Sequence, residues 1–174
     1  EIVVVDDGST DRDYFELERI HGCIRVVRQS NRGVSAARNV GCDVATGTYI
    51  AILDADDVWL PGKLQAQMRH LAKFPDTAAV FCRGMLWRPV ANGAEWIRPE
   101  VPTPPPGTSP EVINLHYPDF LYSIPIATST MVVRKSVWQE MGGFKEGMRY
   151  GEDQDFNLRL SHAYRVALLD MPGM

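Results

Sequence analysis

Short apolar runs alternate with amphipathic segments along the whole chain. Each run holds four to six mostly aliphatic residues and ends at turn-forming residues, which is typical of strands; the runs lie at 2–5, 24–27, 49–53, 78–82, 128–133 and 166–169, with a weaker one at 85–89. Apolar positions at helical spacing predict helices between them, at 13–20, 33–46, from Pro61 to Pro75, 135–141 and 152–163. This alternation predicts an α/β fold with a mostly parallel sheet flanked by helices.

Three details of the pattern make sharper predictions. The run 2–5 is apolar throughout, which favours a strand buried on both faces. Gly47 is expected to end the helix at 33–46, because glycine is the usual residue just past a helix. The helix after Pro61 is expected to bury one apolar face, made of Leu64, Met68, Leu71 and Ala72.

Composition excludes several classes of protein. The chain has 174 residues, of which 45% are hydrophobic and 23% charged, so it can build a core and is not globally disordered. Its net charge of −4 argues against a general nucleic-acid binder. Its three cysteines are widely spaced and form no zinc-binding pattern, which fits a reducing, cytoplasmic setting. No apolar run approaches the roughly 20 residues of a membrane span.

The acidic segment at 54–57 is a candidate metal site. It holds three carboxylates directly after an apolar run, and ligands of parallel α/β sheets bind beyond the carboxyl ends of strands. Asp54 and Asp56 are two residues apart, so on extended backbone both side chains can face one ion. Mg²⁺ or Mn²⁺ would offset the repulsion among the carboxylates. The alternative is that this segment caps the following helix.

Asp6 and Asp7 follow the first apolar run in the same way. A carboxylate there can accept hydrogen bonds from a ribose or a base, and Gly8 would let the backbone approach a ligand. The alternative is an ordinary turn in which Ser9 or Asp11 caps a helix.

Glu152 and Asp153 open the helix at 152–163 after a glycine-rich loop. A carboxylate at this position can act as a general base on a nucleophilic hydroxyl. Acidic residues are also favoured in a first turn by the helix dipole alone. Arg38 is expected to be solvated, with a phosphate partner as the alternative. The four histidines are scattered and predict no metal site or nucleophilic triad.

The segment 98–110 contains six prolines and predicts a stiff, partly polyproline loop. Trp87 and Trp96 flank this middle stretch and could contact an acceptor sugar, although a core position is the more ordinary use of tryptophan.

Six segments taken in order resemble the family 2 glycosyltransferases of the GT-A fold. They are VVVDDGSTD at 3–11, NRGVSAARN at 31–39, GTYIAILDADD at 47–57, STMVVR at 129–134, GGF at 142–144 and GEDQDF at 151–156. Each segment is weak evidence alone, but their shared order covers nearly the whole chain.

The resemblance implies inverting transfer of a sugar from a nucleotide-sugar donor, commonly a UDP-sugar, to a hydroxyl acceptor. By similarity, Asp6, Asp7 and Ser9 would bind the nucleoside and Arg38 would lie near the nucleotide. Asp54 and Asp56 would form the DxD motif that holds Mg²⁺ or Mn²⁺ and the diphosphate, with Asp56 the more direct ligand. Asp153 would be the catalytic base, with Glu152 beside it.

The same resemblance implies a single catalytic domain over 1–174, truncated at both ends. Residues 1–80 would form its nucleotide-binding half, and residues 81–174 its acceptor and catalytic-base half. The acceptor region would contain a small mixed sheet, beside the mostly parallel sheet of the GT-A fold. Expected partners are the donor and a saccharide or lipid-linked acceptor, as in polysaccharide assembly, but no nucleic acid. The expected location is the cytoplasm, with peripheral association at the inner membrane face through segments outside this chain. The alternatives are a non-catalytic nucleotide-sugar-binding module or degenerate domain, and a nucleotidyltransferase.

Overall fold

A computed structural model describes residues 1–90, 93–97, 112–117, 119 and 126–174. These residues form two compact units that interleave in sequence. The first unit holds 1–50 and 135–156, and the second holds 51–134 and 157–174. The expected division into a nucleotide-binding half and an acceptor half at residue 80 stays a prediction about function. The boundaries of the compact units fall elsewhere in the sequence.

The first unit is built on two parallel strands. β1 (Ile2–Asp6) pairs in parallel with β2 (Ile24–Arg28), and a 3₁₀ helix (Tyr14–Arg19) connects them. Helix α1 (Val34–Val44) packs on β1, where Gly41 lies against Val5 so closely that a Cβ would be 3.1 Å from the valine methyl group. Helix α3 (Lys135–Met141) and the start of α4 (Glu152–Ala163) complete the unit.

Two sequence predictions for this unit are wrong in detail. β1 is not buried on both faces: Ile2 is exposed and 3–5 are half-buried, because the sheet of this unit has only two strands within the described residues. Helix α1 ends at Val44, and its C-cap is the extended residue Ala45 rather than Gly47. The N–H of Gly47 instead donates to the Glu1 carboxylate at 2.8 Å.

The second unit contains a mixed sheet. β8 (Val132–Arg134), β4 (Thr77–Arg83), β9 (Arg165–Pro172) and β7 (Val112–Leu115) lie side by side in that order. β4 and β9 are parallel, whereas β8 and β7 are antiparallel to their neighbours. All seven residues of β4 are buried, so this strand is the centre of the core. The predicted α/β architecture of sheets flanked by helices is confirmed, and a mixed sheet is present, as was expected for part of the chain.

Smaller elements complete the description. β3 (Tyr49–Ala51) crosses from the first unit to the second, and β5 (Leu86–Val90) pairs antiparallel with β6 (Gly93–Ile97). The strand expected from 128 begins as a 3₁₀ turn, Thr128–Thr130, before β8. The proline-rich stretch 98–110 lies outside the described residues.

Helix α2 (Lys63–Lys73) buries a different face from the one predicted. Its buried residues are Lys63, Gln67, His70 and Leu71, whereas Leu64, Met68 and Ala72 are exposed. The reason is a polar anchor: the Gln67 amide donates to the carbonyl oxygens of Val80 and Thr130 at 2.8 and 2.7 Å. The two hydrogen bonds of Gln67 to buried carbonyl groups contribute more than the burial of Leu64, Met68 and Ala72 would.

Candidate active site

The turn after β1 is held together by the Asp6 carboxylate. Asp6 is buried, its Oδ1 accepts the Ser9 N–H at 2.7 Å, and its Oδ2 lies 3.3 Å from Nε of Arg28. The hydrogen bonds from the Ser9 backbone and hydroxyl are the main cause that lowers the pKa of Asp6, and Arg28 adds to it. Asp6 is therefore ionised and committed to shaping this turn.

Asp7 ties the same turn to the start of α1. Its Oδ1 accepts from the Gln29 amide at 2.7 Å and from the Arg32 N–H at 2.9 Å, and its Oδ2 accepts from the Gly33 N–H at 2.8 Å. Partial burial opposes ionisation, but the hydrogen bonds from Gln29, Arg32 and Gly33 outweigh it and lower the pKa of Asp7. Three acceptor positions of this carboxylate are thus used by the chain itself.

Neither Ser9 nor Asp11 caps the following helix, as the alternative interpretation of this segment expected. Asp13 is the N-cap, and its carboxylate accepts the Phe15 N–H at 3.1 Å. Gly8 has a φ of +80°, and a Cβ there would lie 2.8 Å from the Asn31 nitrogen, so this glycine is required by the chain's own packing.

The acidic segment 54–57 is a tight turn that does not cap a helix. The Asp57 N–H donates to the Asp54 carbonyl oxygen at 3.1 Å, whereas α2 starts several residues later with Gly62 as its N-cap. The helix-cap interpretation of this segment is therefore wrong. Asp54 and Asp57 are half-buried and Asp56 is exposed.

Ser129 anchors the backbone of this acidic turn. Ser129 is fully buried, its Oγ accepts the Asp54 N–H at 2.9 Å, and its carbonyl oxygen accepts the Trp59 indole N–H at 2.8 Å. One buried residue thus fixes both the start of the turn and the aromatic ring that follows it. Sequence reasoning assigned Ser129 no role; the signal available was a hydroxyl residue next to an apolar strand.

Trp59 rests in turn on a buried cation. The Lys63 ammonium lies 4.3 Å from the centre of the Trp59 ring, and Lys63 is only 1% exposed. Among the described residues, no hydrogen-bond partner lies within reach of its Nζ. Burial lowers the pKa of Lys63 to about 8, an effect that Cys82 partly opposes.

The acidic turn fits a hard divalent cation that is shared with a phosphate group. Within the described residues, no three His, Cys, Asp or Glu side chains form a complete metal cage. Mg²⁺ in nucleotide sites is usually held by one or two carboxylates together with substrate phosphates, so a complete protein cage is not required. The carboxylate oxygens of Asp54 and Asp56, on one tight turn, match that donor set.

Glu152 and Asp153 form the first turn of α4, as the sequence predicted. Nη1 of Arg38 lies 2.9 Å from Oε1 of Glu152, and these side chains are only 12% and 15% exposed. Arg38 is therefore not the solvated residue of the default interpretation. Asp153 is half-buried, and its Oδ1 accepts the Gln154 N–H at 2.7 Å.

Asn39 fastens α1 to the loop before α4. Its amide donates to the Phe144 carbonyl oxygen and accepts the Phe144 N–H, both at 2.8 Å. A Cβ on Gly143 would lie 2.6 Å from the Asn39 Oδ1, so only glycine fits beside this contact. The role of Asn39 was missed, although it lies within the motif at 31–39.

The structure thus groups the predicted site residues within each unit. In the first unit Asp6, Asp7 and Ser9 share one turn, and Arg38 pairs with Glu152 next to Asp153. In the second unit Asp54 and Asp56 lie on the turn held by Ser129.

Comparison with known proteins identifies the class to which this fold and these motifs belong. The sequence model of glycosyl transferase family 2 matches residues 1–139, and the chain belongs to this family. Its solved neighbours are GT-A glycosyltransferases, which confirms the predicted fold.

The alignments with three individual relatives span most of this chain but less than half of each relative. An uncharacterized glycosyltransferase of Rickettsia felis is 32% identical over 88% of this chain and 24% of its own length. TarS 1–349 of S. aureus in complex with UDP has a TM-score of 0.72 and 23% identity, over 99% of this chain and 49% of its own. A mannosyltransferase of Pyrobaculum calidifontis in complex with GDP-Man and Mn²⁺ has a TM-score of 0.65 and 22% identity, over 99% and 45%. The chain spans half or less of the length of the first curated relatives, at 21%, 24% and 50%.

Among the residues that the structure describes, none of the helices has the length and apolar character needed to cross a bilayer.

Proposed function

We propose that this chain carries out metal-dependent, inverting transfer of a sugar from a UDP-sugar to a hydroxyl group of a saccharide or lipid-linked acceptor. The observation that carries the proposal is the acidic turn 54–57, which caps no helix and whose backbone is fixed by a buried serine. Rigid backbone beneath exposed carboxylate is what a shared metal–phosphate site needs. UDP in TarS and GDP-Man with Mn²⁺ in the mannosyltransferase support the donor class.

Donor binding is assigned to named residues of each unit. In the second unit, Asp56 and Asp54 would hold Mg²⁺ or Mn²⁺, which supplies charge stabilisation for a departing diphosphate. In the first unit, we infer that the nucleoside binds at the turn of Asp6, Asp7 and Ser9. The expected cytoplasmic location belongs to the same proposal and is supported by the three free cysteines, which fit a reducing compartment. Association with the inner membrane face would depend on segments outside this chain.

The role of catalytic base is assigned to Asp153. Its carboxylate takes the proton of the acceptor hydroxyl while the acceptor oxygen bonds to the anomeric carbon. The bond from that carbon to the diphosphate oxygen breaks, and the nucleoside diphosphate leaves with the electron pair. Attack on the face opposite the leaving group inverts the anomeric configuration.

Calorimetric titration of the intact protein with UDP, with and without Mn²⁺, tests the donor site. We expect Mn²⁺-dependent binding that Asp56→Ala weakens at least about 100-fold, because a direct ligand matters at least as much as its supporting shell. Asp76→Ala is the matched control, since it removes an exposed aspartate of the same unit. Binding of GDP or dTDP in place of UDP would change the nucleotide assignment, and equal binding by Asp56→Ala would refute the metal site.

Asp153→Asn tests the catalytic base. It should keep UDP affinity and lose transfer by about 10²–10⁴-fold, the usual contribution of a general base. Asp43→Asn, an exposed aspartate on α1, is its control. Full transfer by Asp153→Asn would refute the base, donor binding without any transfer would favour the non-catalytic module, and retention at the anomeric carbon would refute inversion.

A further inference from the structure

Arg38 and Glu152 form an ion pair that is shielded from water. Their side chains are 12% and 15% exposed, and the distance between Nη1 and Oε1 is 2.9 Å. Exposed ion pairs hold their partners loosely, whereas shielded pairs are less screened and have better-defined geometry. Glu152 is the first residue of α4, so this pair acts on the helical turn that carries Asp153.

An aromatic cluster holds Arg38 from the other side. The guanidinium carbon lies 5.2 Å from the centre of the Phe144 ring, which is within the range of a cation–π contact. Phe144 packs against Phe156 with 4.9 Å between ring centres, and Phe156 lies one helical turn after Glu152 on α4. Arg38 therefore contacts the start of α4 directly through Glu152 and indirectly through Phe144.

The next residue of α1 prevents this contact from shifting. Asn39 makes two hydrogen bonds to the Phe144 backbone, and Gly143 has no room for a side chain beside it. Adjacent residues of α1 thus fix both the loop before α4 and the first turn of α4.

We propose that Arg38 is a positioning residue, which orients Asp153 by holding Glu152, and that it makes no contribution to nucleotide affinity. This inference rests on the proposed function, in which Asp153 is the base. The first turn of a helix lacks part of its backbone hydrogen bonding and frays easily. Catalytic groups have to be held within about 0.5 Å of their productive geometry, and the Arg38–Glu152 pair supplies that restraint.

The test separates kcat from donor affinity in the intact protein. We expect Arg38→Gln to lower kcat about 10- to 100-fold at saturating donor, because a displacement of about 1 Å costs that much. The Kd for UDP with Mn²⁺ should change less than about twofold, since in this proposal Arg38 binds Glu152 and not the nucleotide. Arg38→Lys keeps the charge and should recover part of kcat.

Glu152→Gln and the double variant extend the test, so that its result does not depend on Arg38→Gln alone. If the two residues act as a pair, Arg38→Gln combined with Glu152→Gln should be no slower than the slower single variant. The matched control is Arg25→Gln, because Arg25 is an arginine of the same unit that is exposed on β2. This control should leave kcat unchanged.

Three outcomes would overturn the inference. They are a rise of about tenfold or more in the Kd for UDP in Arg38→Gln, an unchanged kcat in both single variants, or additive losses in the double variant. Failure of the proposed function is seen separately, because it would appear as no transfer by the wild-type protein or as full transfer by Asp153→Asn, whatever Arg38→Gln does.

Discussion

The acidic segments after β1 and after β3 have similar sequences but use their carboxylates differently. After β1, the carboxylates of Asp6 and Asp7 accept hydrogen bonds from the chain's own backbone and from Gln29. After β3, the backbone of the turn is held by Ser129, and Asp56 remains exposed on it.

The way in which each turn is held distinguishes a structural acidic cluster from one that is available to a ligand. A carboxylate that organises its own loop supports a ligand mainly through the shape of that loop, whereas a turn whose backbone is held by other residues can present its carboxylates directly to a ligand. The first segment is thus expected to respond to mutation mainly through stability, and the second mainly through ligand binding.

The largest effect that would sharpen this comparison is expected at Ser129. Ser129→Ala leaves the Asp54 N–H without its acceptor and loosens the acidic turn. We expect the Mn²⁺-dependent affinity for UDP to fall about 10- to 100-fold, as for residues that support a metal ligand. Calorimetric titration measures this change.

Ser161→Ala is the control for Ser129→Ala. Ser161 is also buried in the second unit, but its hydroxyl donates within its own helix to the Leu158 carbonyl oxygen at 3.2 Å. If both alanine variants weakened UDP binding equally, Ser129 would have no special link to the acidic turn.

The next effect concerns stability and is expected at Lys63, the buried cation next to the Trp59 ring. Its pKa of about 8 lies below the ordinary value of 10.5, so folding at neutral pH buries a charge that prefers water. Lys63→Met should raise the free energy of unfolding by about 2 kcal/mol at pH 7, because it replaces a buried charge, which has no hydrogen-bonding partner in the described part of the chain, with an apolar side chain.

The pH dependence of that gain has a definite sign. Between about pH 8 and 10.5 the unfolded chain binds more protons at Lys63 than the folded chain, so wild-type stability rises relative to Lys63→Met. Urea unfolding of both proteins at about pH 7 and pH 10 measures the difference, with Lys73→Met as an exposed control on the same helix. A gain that stays constant with pH would show that this lysine does not titrate as described.

Much of the architecture could be predicted because it depends on local patterns. The strands at 24–27, 78–82 and 166–169 and the helices at 135–141 and 152–163 are present in the structure, with β-branched runs or clear start and stop residues. Helix α2 was misjudged because tertiary hydrogen bonds of Gln67 override its apolar periodicity, and such contacts are invisible along the chain.

Site residues were easier to nominate than to interpret. Asp6, Asp7, Asp54 and Asp153 could be selected because carboxylates after apolar runs are chemically conspicuous. Ser129 binds the Asp54 N–H from 75 residues away, and Asn39 binds Phe144, in the loop before α4, from 105 residues away. No local spacing predicts such contacts. Sequence therefore identifies candidate chemistry, and the fold decides which carboxylates are committed to structure.

The smallest effect concerns Asp7, which the comparison treats as structural. Asp7→Ala removes acceptors for Gln29, Arg32 and Gly33, and should lower the free energy of unfolding by about 1 kcal/mol because these donors are partly solvated. Asp56→Ala should change the free energy of unfolding by less than about 0.5 kcal/mol, as expected for an exposed residue to which the described residues donate no such hydrogen bonds.

The contribution of Asp7 should also depend on pH. Because hydrogen bonding keeps the pKa of Asp7 below 3.8 despite burial, its stabilisation is present above about pH 4 and lost as the pH falls through the folded-state pKa. Urea unfolding at about pH 7 and pH 2 should therefore give a smaller wild-type advantage over Asp7→Ala at the lower pH. An equal loss in Asp56→Ala would remove the distinction between the two acidic segments.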